Sequence, residues 1–152
     1  MSKRQERLVD NPVNTDEERI RIAALNENLP KVQAFVGDAL RKAGAGEMAL
    51  LNTELAVEEV FVNIASYAYK EKNGFAEISV RVTEHGECAK ICFADEGEHF
   101  DPLSVPEPDI TLSSEERQIG GLGIFLLRQL AEDVDYSYKD RKNVLCFSMR
   151  LV

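Results

Sequence analysis

Apolar residues along this chain recur at two spacings, and the change from one to the other divides the sequence into helices and strands. A spacing of three and four residues, typical of one helix face, follows Pro30 until Gly44 and runs again from Glu47 to about Lys70. It returns after the glycines of GGLGIFLLRQLAED. These segments predict three helices. The second is predicted to be mostly buried, because apolar residues cover more than half of its circumference.

Strict alternation of apolar and polar residues predicts strands in the remaining segments. Residues 19–26 form the first; FAEISVRVTEHGECAKICFAD contains two, joined at His85-Gly86; VDYSYKD and NVLCFSMRLV form two more around a turn at residues 140–143. The order is strand, helix, helix, two strands, long loop, helix, two strands. It predicts an α+β fold, a two-layer sandwich in which helices cover one face of a mixed, mostly antiparallel sheet.

Length and charge narrow the class of protein. The 152 residues fit one domain, which we place at residues 18–152 behind a flexible polar arm of residues 1–17. With 18 Lys and Arg against 27 Asp and Glu, the net charge at pH 7 is −9, which argues against binding to nucleic-acid phosphates. No apolar run approaches the roughly 18 residues of a membrane span, and the N-terminal residues lack the apolar core of a signal peptide. We therefore expect a cytoplasmic protein with no membrane or nucleic-acid partner.

The chain has three cysteines, Cys88, Cys92 and Cys146. An odd number is a poor basis for a disulfide framework. Cys88 and Cys92 are four residues apart in a predicted strand, so they share one face of the sheet, and no second Cys or His pair completes a zinc site. The sequence favours buried free thiols.

The second predicted helix carries a narrow polar strip formed by Asn52, Glu59, Asn63, Ser66 and Lys70. Glu59 and Asn63 are four residues apart, so their side chains lie one above the other. Such a strip is often a solvated face. On a buried helix it also suits the wall of a cavity, where a carboxylate and an amide oxygen could hold a hydrated Mg²⁺ or position a nucleophile.

Asp95-Glu96-Gly97 follows the apolar end of a predicted strand. One interpretation is a simple turn, since Asp and Gly favour turns. The other is a carboxylate at the edge of the sheet that accepts a hydrogen bond from a ligand, with Gly97 allowing the ligand to approach.

Glycines at positions 120, 121 and 123 open the third predicted helix, directly after a connection of residues 96–119 that holds three of the five prolines. A flexible hinge is one interpretation of these glycines. The other is an anion site, because a helix N-terminus directs free N–H groups and a positive dipole at phosphates. The P-loop spacing is absent, and no strand directly precedes the glycines as a dinucleotide fingerprint requires. A connection of this length in a compact domain is usually functional.

In their order along the chain, Glu59-Val-Phe-Val-Asn63, Asp95-Glu-Gly97-Glu-His-Phe100-Asp101-Pro102 and Gly120-Gly-Leu-Gly123 resemble the three motif boxes of the GHKL ATPases. This superfamily includes gyrase B and the histidine kinases. The Glu-x-x-x-Asn, Phe-Asp-Pro and Gly-Gly-Leu-Gly forms look closest to the anti-sigma-factor serine/threonine kinases. The resemblance covers about residues 19–150 and implies the GHKL, or Bergerat, ATP-binding fold.

The resemblance also implies roles for individual residues. Glu59 would be the catalytic base, Asn63 would hold the Mg²⁺ that bridges the ATP phosphates, and Asp95 would accept a hydrogen bond from the adenine amino group. Residues 98–119 would form a lid, in which Arg117 is either a cation for the terminal phosphate or a solvent-facing side chain. The implied nucleotide-binding residues, with ATP and Mg²⁺ as cofactors, are Asn63, Asp95, Gly97, Phe100, Arg117, Gly120, Gly121, Leu122 and Gly123.

Two residues depart from the family pattern. His99 stands where many relatives have a second glycine, and Tyr67, one turn after Asn63, occupies a position often held by histidine in the anti-sigma kinases. Two functions follow from the resemblance. The first is a homodimeric kinase that phosphorylates Ser or Thr of a STAS-type anti-anti-sigma partner and sequesters a sigma factor. The second is a nucleotide-binding partner switch with little phosphoryl transfer.

Overall fold

The computed structural model describes residues 17–69, 73–83, 85–104 and 121–152. It confirms the predicted α+β class and the predicted order of elements. In chain order the helices and strands are β1 (Glu18–Ala23), α1 (Leu29–Lys42), α2 (Glu47–Asn63), β2 (Phe75–Val82), β3 (Cys88–Asp95), α3 (Gly121–Leu130), β4 (Asp133–Lys139) and β5 (Lys142–Arg150).

Two of the predicted elements end differently from the prediction. Strand β1 ends at Ala23, because the Asn28 side chain donates to the Ala23 carbonyl (2.9 Å) and closes a turn there. Helix α2 ends as an α-helix at Asn63 and continues as one π-helical turn, Ile64–Ala68. Such wide turns are rare, and where they occur they are frequent at functional sites.

The five strands form one sheet in the order β1-β2-β3-β5-β4, and all four pairings are antiparallel. Within the described residues, the predicted mixed sheet is therefore corrected to a fully antiparallel one. The reason lies in the return of the chain after α3. It enters the sheet at the edge as β4, in the same direction as β3, and a tight turn then brings β5 back between them. Strands β3 and β5 thus become neighbours.

The helices cover one face of this sheet. Along β3 the side chains alternate, with Ile91 and Phe93 fully buried beneath the helices and Lys90 exposed on the opposite face. Helix α2 packs against both α1 and α3. The three largest fully buried side chains, Phe61, Phe93 and Phe147, come from both layers, and truncating such a residue to Ala costs about 3–5 kcal/mol.

The turn between β4 and β5 is tighter than predicted. Only Asp140 and Arg141 form it, with φ of 55° and 64°, the left-handed conformation that suits the twist of a two-residue hairpin. Asn143, which the sequence placed both at the end of this turn and at the start of NVLCFSMRLV, is the second residue of β5 and is 7% exposed. This correction matters because Asn143 reaches the cavity described below.

The expectation of free thiols is wrong for two of the three cysteines. Cys92 of β3 and Cys146 of β5 are directly opposite in register, with Cα atoms 4.1 Å apart, and form a disulfide. Only the strand order brings these residues together, since they are 54 residues apart in sequence. Cys88 is a half-buried free thiol, on the same sheet face as Cys92 as predicted.

Two further expectations concern the chain outside this core. Residues 1–16, most of the predicted flexible arm, lie outside the described residues. Among the helices that the structure describes, none has the length and apolar character needed to cross a membrane.

Candidate functional site

A cavity of about 660 Å³ opens between the end of α2 and the adjoining ends of β3 and β5. Its walls are mainly apolar and come from both layers, with Val60 from α2 and Phe93 from β3. A small number of polar side chains interrupt them, among which are Asn63, Asp95 and Asn143. A concave, mostly apolar site with few polar groups is typical of small-molecule binding.

Asp95, the last residue of β3, brings a buried carboxyl group to this cavity, with 7% of the residue exposed. Its Oδ1 accepts hydrogen bonds from the Gly97 N–H (2.9 Å) and from Asn143 Nδ2 (3.0 Å). Burial raises the pKa of Asp95, and these two hydrogen bonds oppose the shift because they favour the charged form. The site therefore holds a hydrogen-bond acceptor at the bottom of an apolar pocket.

Asn143 connects this carboxyl group to the loop that follows β3. Its Nδ2 also donates to the Glu98 carbonyl (3.0 Å), while its Oδ1 accepts from the Phe100 N–H (3.2 Å) and from the Tyr136 hydroxyl. Sequence reasoning missed Asn143. The available signal was the alternation of β5: Asn143 is two residues before Leu145, so it lies on the same, buried face of the strand as the apolar residues.

On the opposite side of the cavity, Asn63 is the last α-helical residue of α2 and lines the cavity. Glu59, one turn earlier, is half-buried, whereas the neighbouring Glu58 is exposed. Burial first, and then the charge of Glu58, raises the pKa of Glu59. A carboxylate with a raised pKa is a stronger base, which is the property that a general base requires.

Gly97 joins the two sides of the site. A Cβ at this position would lie 2.3 Å from the Ala68 carbonyl oxygen, so only glycine fits against the π-helical turn. Beside it, the Glu98 N–H donates to the same carbonyl (2.9 Å). The Tyr69 hydroxyl donates to the Phe75 carbonyl (2.6 Å) and accepts from the Glu96 N–H (2.8 Å). The loop after β3 is thus fixed to the end of α2.

Aromatic side chains surround the opening of the cavity. Phe100 and Tyr67 line it while remaining 58% and 47% exposed. His99, at the position where relatives often have glycine, stacks on Tyr138 with ring centroids 4.0 Å apart. This stack holds the start of the 98–119 connection against β4.

The glycine box is only partly described. Gly121, Leu122 and Gly123 form the first turn of α3, whose next residue, Ile124, is buried and lines the cavity. The first turn of α3 therefore lies next to a residue of the cavity wall, and the anion-site interpretation stays a prediction. Arg117 and Gly120 lie outside the described residues, so their predicted roles are not tested.

Comparison with known proteins identifies the family. A sequence model described as the histidine kinase-like ATPase domain matches residues 22–149, which is most of the chain. The chain belongs to the histidine kinase-like ATPase family. This agrees with the resemblance to the GHKL ATPases that the three boxes indicated.

Among the relatives of this histidine kinase-like ATPase domain are serine-protein kinases named RsbW from Staphylococcus aureus. The protein from strain RF122 / ET3-1 is 27% identical over 119 residues, which cover 76% of this chain and 75% of that protein. The protein from strain MRSA252 matches to the same extent. The family's anti-sigma kinase branch is thus represented among the relatives.

Two solved structures share the fold. The RsbU and RsbW domains of Rv1364c from Mycobacterium tuberculosis align with a TM-score of 0.62 and 14% identity, over 89% of this chain and 32% of that one. The histidine kinase domain of the blue-light-activated kinase EL346 from Erythrobacter litoralis aligns with a TM-score of 0.52 and 15% identity, over 83% of this chain and 60% of that one. At such identities the likeness shows the fold alone.

The residues of this ATPase domain suit an adenine nucleotide with Mg²⁺. Asp95 supplies an acceptor inside an apolar pocket, as a base with an exocyclic amino group requires. Asn63 lines the cavity, and its amide oxygen would suit Mg²⁺, an ion usually held by one or two protein ligands together with phosphates and waters. The start of α3 would offer backbone N–H groups to phosphates.

Proposed function

We propose that this chain is a Mg·ATP-dependent serine/threonine protein kinase of the anti-sigma-factor type. It phosphorylates a STAS-type anti-anti-sigma partner and sequesters a sigma factor. The observation that carries the proposal is the buried Asp95 carboxyl group facing a cavity that Asn63 also lines. It occurs in a histidine kinase-like ATPase domain whose relatives include the RsbW serine-protein kinases.

In this proposal the cavity holds the adenine base, and Asp95 accepts a hydrogen bond from the base's amino group. On the α2 side of the cavity, the amide oxygen of Asn63 would hold Mg²⁺, which would supply charge neutralisation at the phosphates. Phe100 packs at the opening. The phosphates contact the backbone N–H groups of Gly121, Leu122 and Gly123. Arg117 and Gly120, which precede these residues, also contact the phosphates.

Glu59 acts as the base that accepts the proton of the attacking serine or threonine hydroxyl. Two features support this role: Glu59 lies one turn before Asn63 on the same helix face, and its raised pKa increases its basicity. Because positioning and charge neutralisation dominate phosphoryl transfer, we expect loss of Asn63 to be more damaging than loss of Glu59.

The proposed partners follow from charge and from the relatives. A net charge of −9 favours a partner with a basic surface, such as a sigma-factor region that otherwise contacts nucleic acid. Sigma factors act in the cytoplasm, and the proposal places this chain there, as a homodimer. The acidic surface would assist encounter with the sigma factor rather than determine its identity.

Thermal unfolding with and without Mg·ATP tests the nucleotide site. A ligand at 100 times its dissociation constant adds about 2.7 kcal/mol to the free energy of unfolding, a shift of several degrees. Asn63→Ala should lose most of this shift. Asn52→Ala, on the same helix but away from the cavity, should keep it. Unchanged melting of the wild type in Mg·ATP would reject the nucleotide site.

Transfer of ³²P from ATP to a STAS-domain protein tests the kinase. The alternative function, a partner switch that binds nucleotide without useful transfer, is favoured by one observation: Tyr67, instead of histidine, lines the cavity one turn after Asn63. ATP-dependent melting combined with no ³²P transfer to any candidate partner would support the switch. Transfer that disappears in Asn63→Ala would support the kinase.

A further inference from the structure

The Asp95 carboxyl group has an uneven set of hydrogen bonds. Oδ1 accepts from both the Gly97 N–H and Asn143 Nδ2, at 2.9 and 3.0 Å. A carboxylate oxygen has two lone pairs in the carboxyl plane, so these two donors saturate Oδ1. Within the residues that the structure describes, no donor bonds Oδ2. The group therefore offers a ligand in the cavity one oxygen rather than two.

The orientation of the Asn143 amide is determined by its neighbours. Oδ1 accepts from the Phe100 N–H and the Tyr136 hydroxyl, while Nδ2 faces three acceptors, Asp95 Oδ1 and the carbonyls of Gly97 and Glu98. Rotating the amide by 180° would place Oδ1 against those three acceptors and Nδ2 against the Phe100 donor. Asn143 is therefore fixed as a donor to Asp95.

This geometry distinguishes between purine bases. Guanine presents two parallel donors, N1–H and the 2-amino group, which pair with both oxygens of a carboxylate in the bidentate manner of a fork. With Oδ1 saturated, one of those donors would be buried without an acceptor. Adenine presents one donor, its 6-amino group, beside a ring nitrogen acceptor, so the single free oxygen is sufficient. A buried unpaired donor lowers affinity by about 10- to 100-fold.

We propose that Asn143 is a specificity-determining positioning residue, which occupies one oxygen of Asp95 so that the cavity accepts adenine and disfavours guanine. This inference rests on the proposed nucleotide site. It goes further by assigning base selection to a residue on β5 that acts through Asp95 and belongs to none of the three sequence boxes.

The test is the ratio of the dissociation constants for Mg·GDP and Mg·ADP, measured by titration calorimetry. The wild type should bind Mg·ADP about 10- to 100-fold more tightly than Mg·GDP. Asn143→Leu, which keeps a side chain branched at Cγ and removes the donor, should reduce that ratio at least about tenfold because Oδ1 becomes available to guanine. The ratio is informative because partial unfolding would weaken the binding of both nucleotides equally and leave the ratio unchanged.

Phe147→Leu is the matched control, since it loosens the core side of the same strand without touching Asp95, and it should keep the wild-type ratio. Asn143→Ala repeats the comparison if the Leu variant does not fold. An unchanged ratio in a folded Asn143 variant that binds Mg·ADP overturns the inference and leaves the nucleotide site intact. Equal binding of both nucleotides by the wild type also overturns it. Binding of neither nucleotide by the wild type rejects the proposed function, and the inference with it.

Discussion

The two sides of the cavity are built in different ways. The helix wall presents Asn63, and a four-residue spacing alone aligns Glu59 with it on the same helix, although Glu59 is not among the residues that line the cavity. The strand wall joins Asp95 and Asn143, which are 48 residues apart and meet because β3 and β5 pair in register. One wall is thus a property of local structure, and the other a property of the complete fold.

The difference also concerns rigidity. The strand wall is fixed by a network in which Asn143 bonds the side chain of Asp95, the carbonyl of Glu98 and the N–H of Phe100. On α2, Glu59, one turn before Asn63, is only half-buried. A preformed wall suits selection of a base, since it loses little entropy on binding. A more open wall suits Mg²⁺, water and a partner's hydroxyl group.

Among the four changes considered next, the largest effect should come from the α2 side of the site. Glu59→Gln removes the proposed base and should slow ³²P transfer about 10²- to 10⁴-fold, while Mg·ATP affinity changes little. The matched control is Glu58→Gln, because Glu58 is the exposed neighbouring carboxylate, and it should retain wild-type transfer. Equal losses in the two variants would contradict the assignment of the base.

On the strand wall, Asp95→Asn should weaken Mg·ADP binding about 10- to 100-fold, because a hydrogen bond to a charged acceptor is lost. Glu96→Gln, an exposed neighbour, should bind as the wild type does. Titration calorimetry measures both. Undiminished binding by a folded Asp95→Asn protein would mean that the base lies elsewhere.

The stability of the protein should be sensitive to side-chain volume at Gly97, where the two walls meet. Gly97→Ala would place a Cβ 2.3 Å from the Ala68 carbonyl oxygen and should lower the free energy of unfolding by about 1–3 kcal/mol. Gly37→Ala meets only the flexible end of Arg41 and should stabilise α1 by up to about 1 kcal/mol. Urea unfolding measures both changes. A fully stable Gly97→Ala protein would show that the two walls are not tightly packed there.

The smallest effect is a pH dependence. Burial raises the pKa of Asp95 above its ordinary value of 3.8, so the folded state is favoured while the group is protonated. This contribution is lost as pH rises from 3.8 through the native pKa. The free energy of unfolding of Asp95→Asn, minus that of the wild type, should therefore increase over that pH interval and stay constant at higher pH. Urea denaturation of both proteins at several pH values and constant ionic strength would measure this difference. A difference that decreases as pH rises would contradict the expected direction.

Much of the fold and half of the site could be predicted from the sequence. Within the part of the chain that the structure describes, periodicity predicted the three α-helices and the five strands, because each buries one face of a regular pattern. Glu59 and Asn63 could be paired because helical spacing is local. Asp95 was recognised by its place at the end of a strand.

The remaining features depend on strand order, which hydrophobic alternation does not determine. The partner of Asp95 was not predicted, because Asp140 and Arg141 form a turn without the usual glycine, so the sequence predicted Asn143 at the end of that turn. The Cys92–Cys146 disulfide was missed because the pairing of β3 with β5 was not predicted. Either would follow at once from knowing that β3 and β5 are neighbours.

The disulfide has a consequence for the covalent chain. Cys92 and Cys146 enclose Asp95, the whole connection after it and the glycine box in one covalent loop. A protease cut anywhere between the two cysteines therefore opens the loop without releasing a fragment. On a denaturing gel the cut protein should migrate as one band until a reductant is added, and then as two.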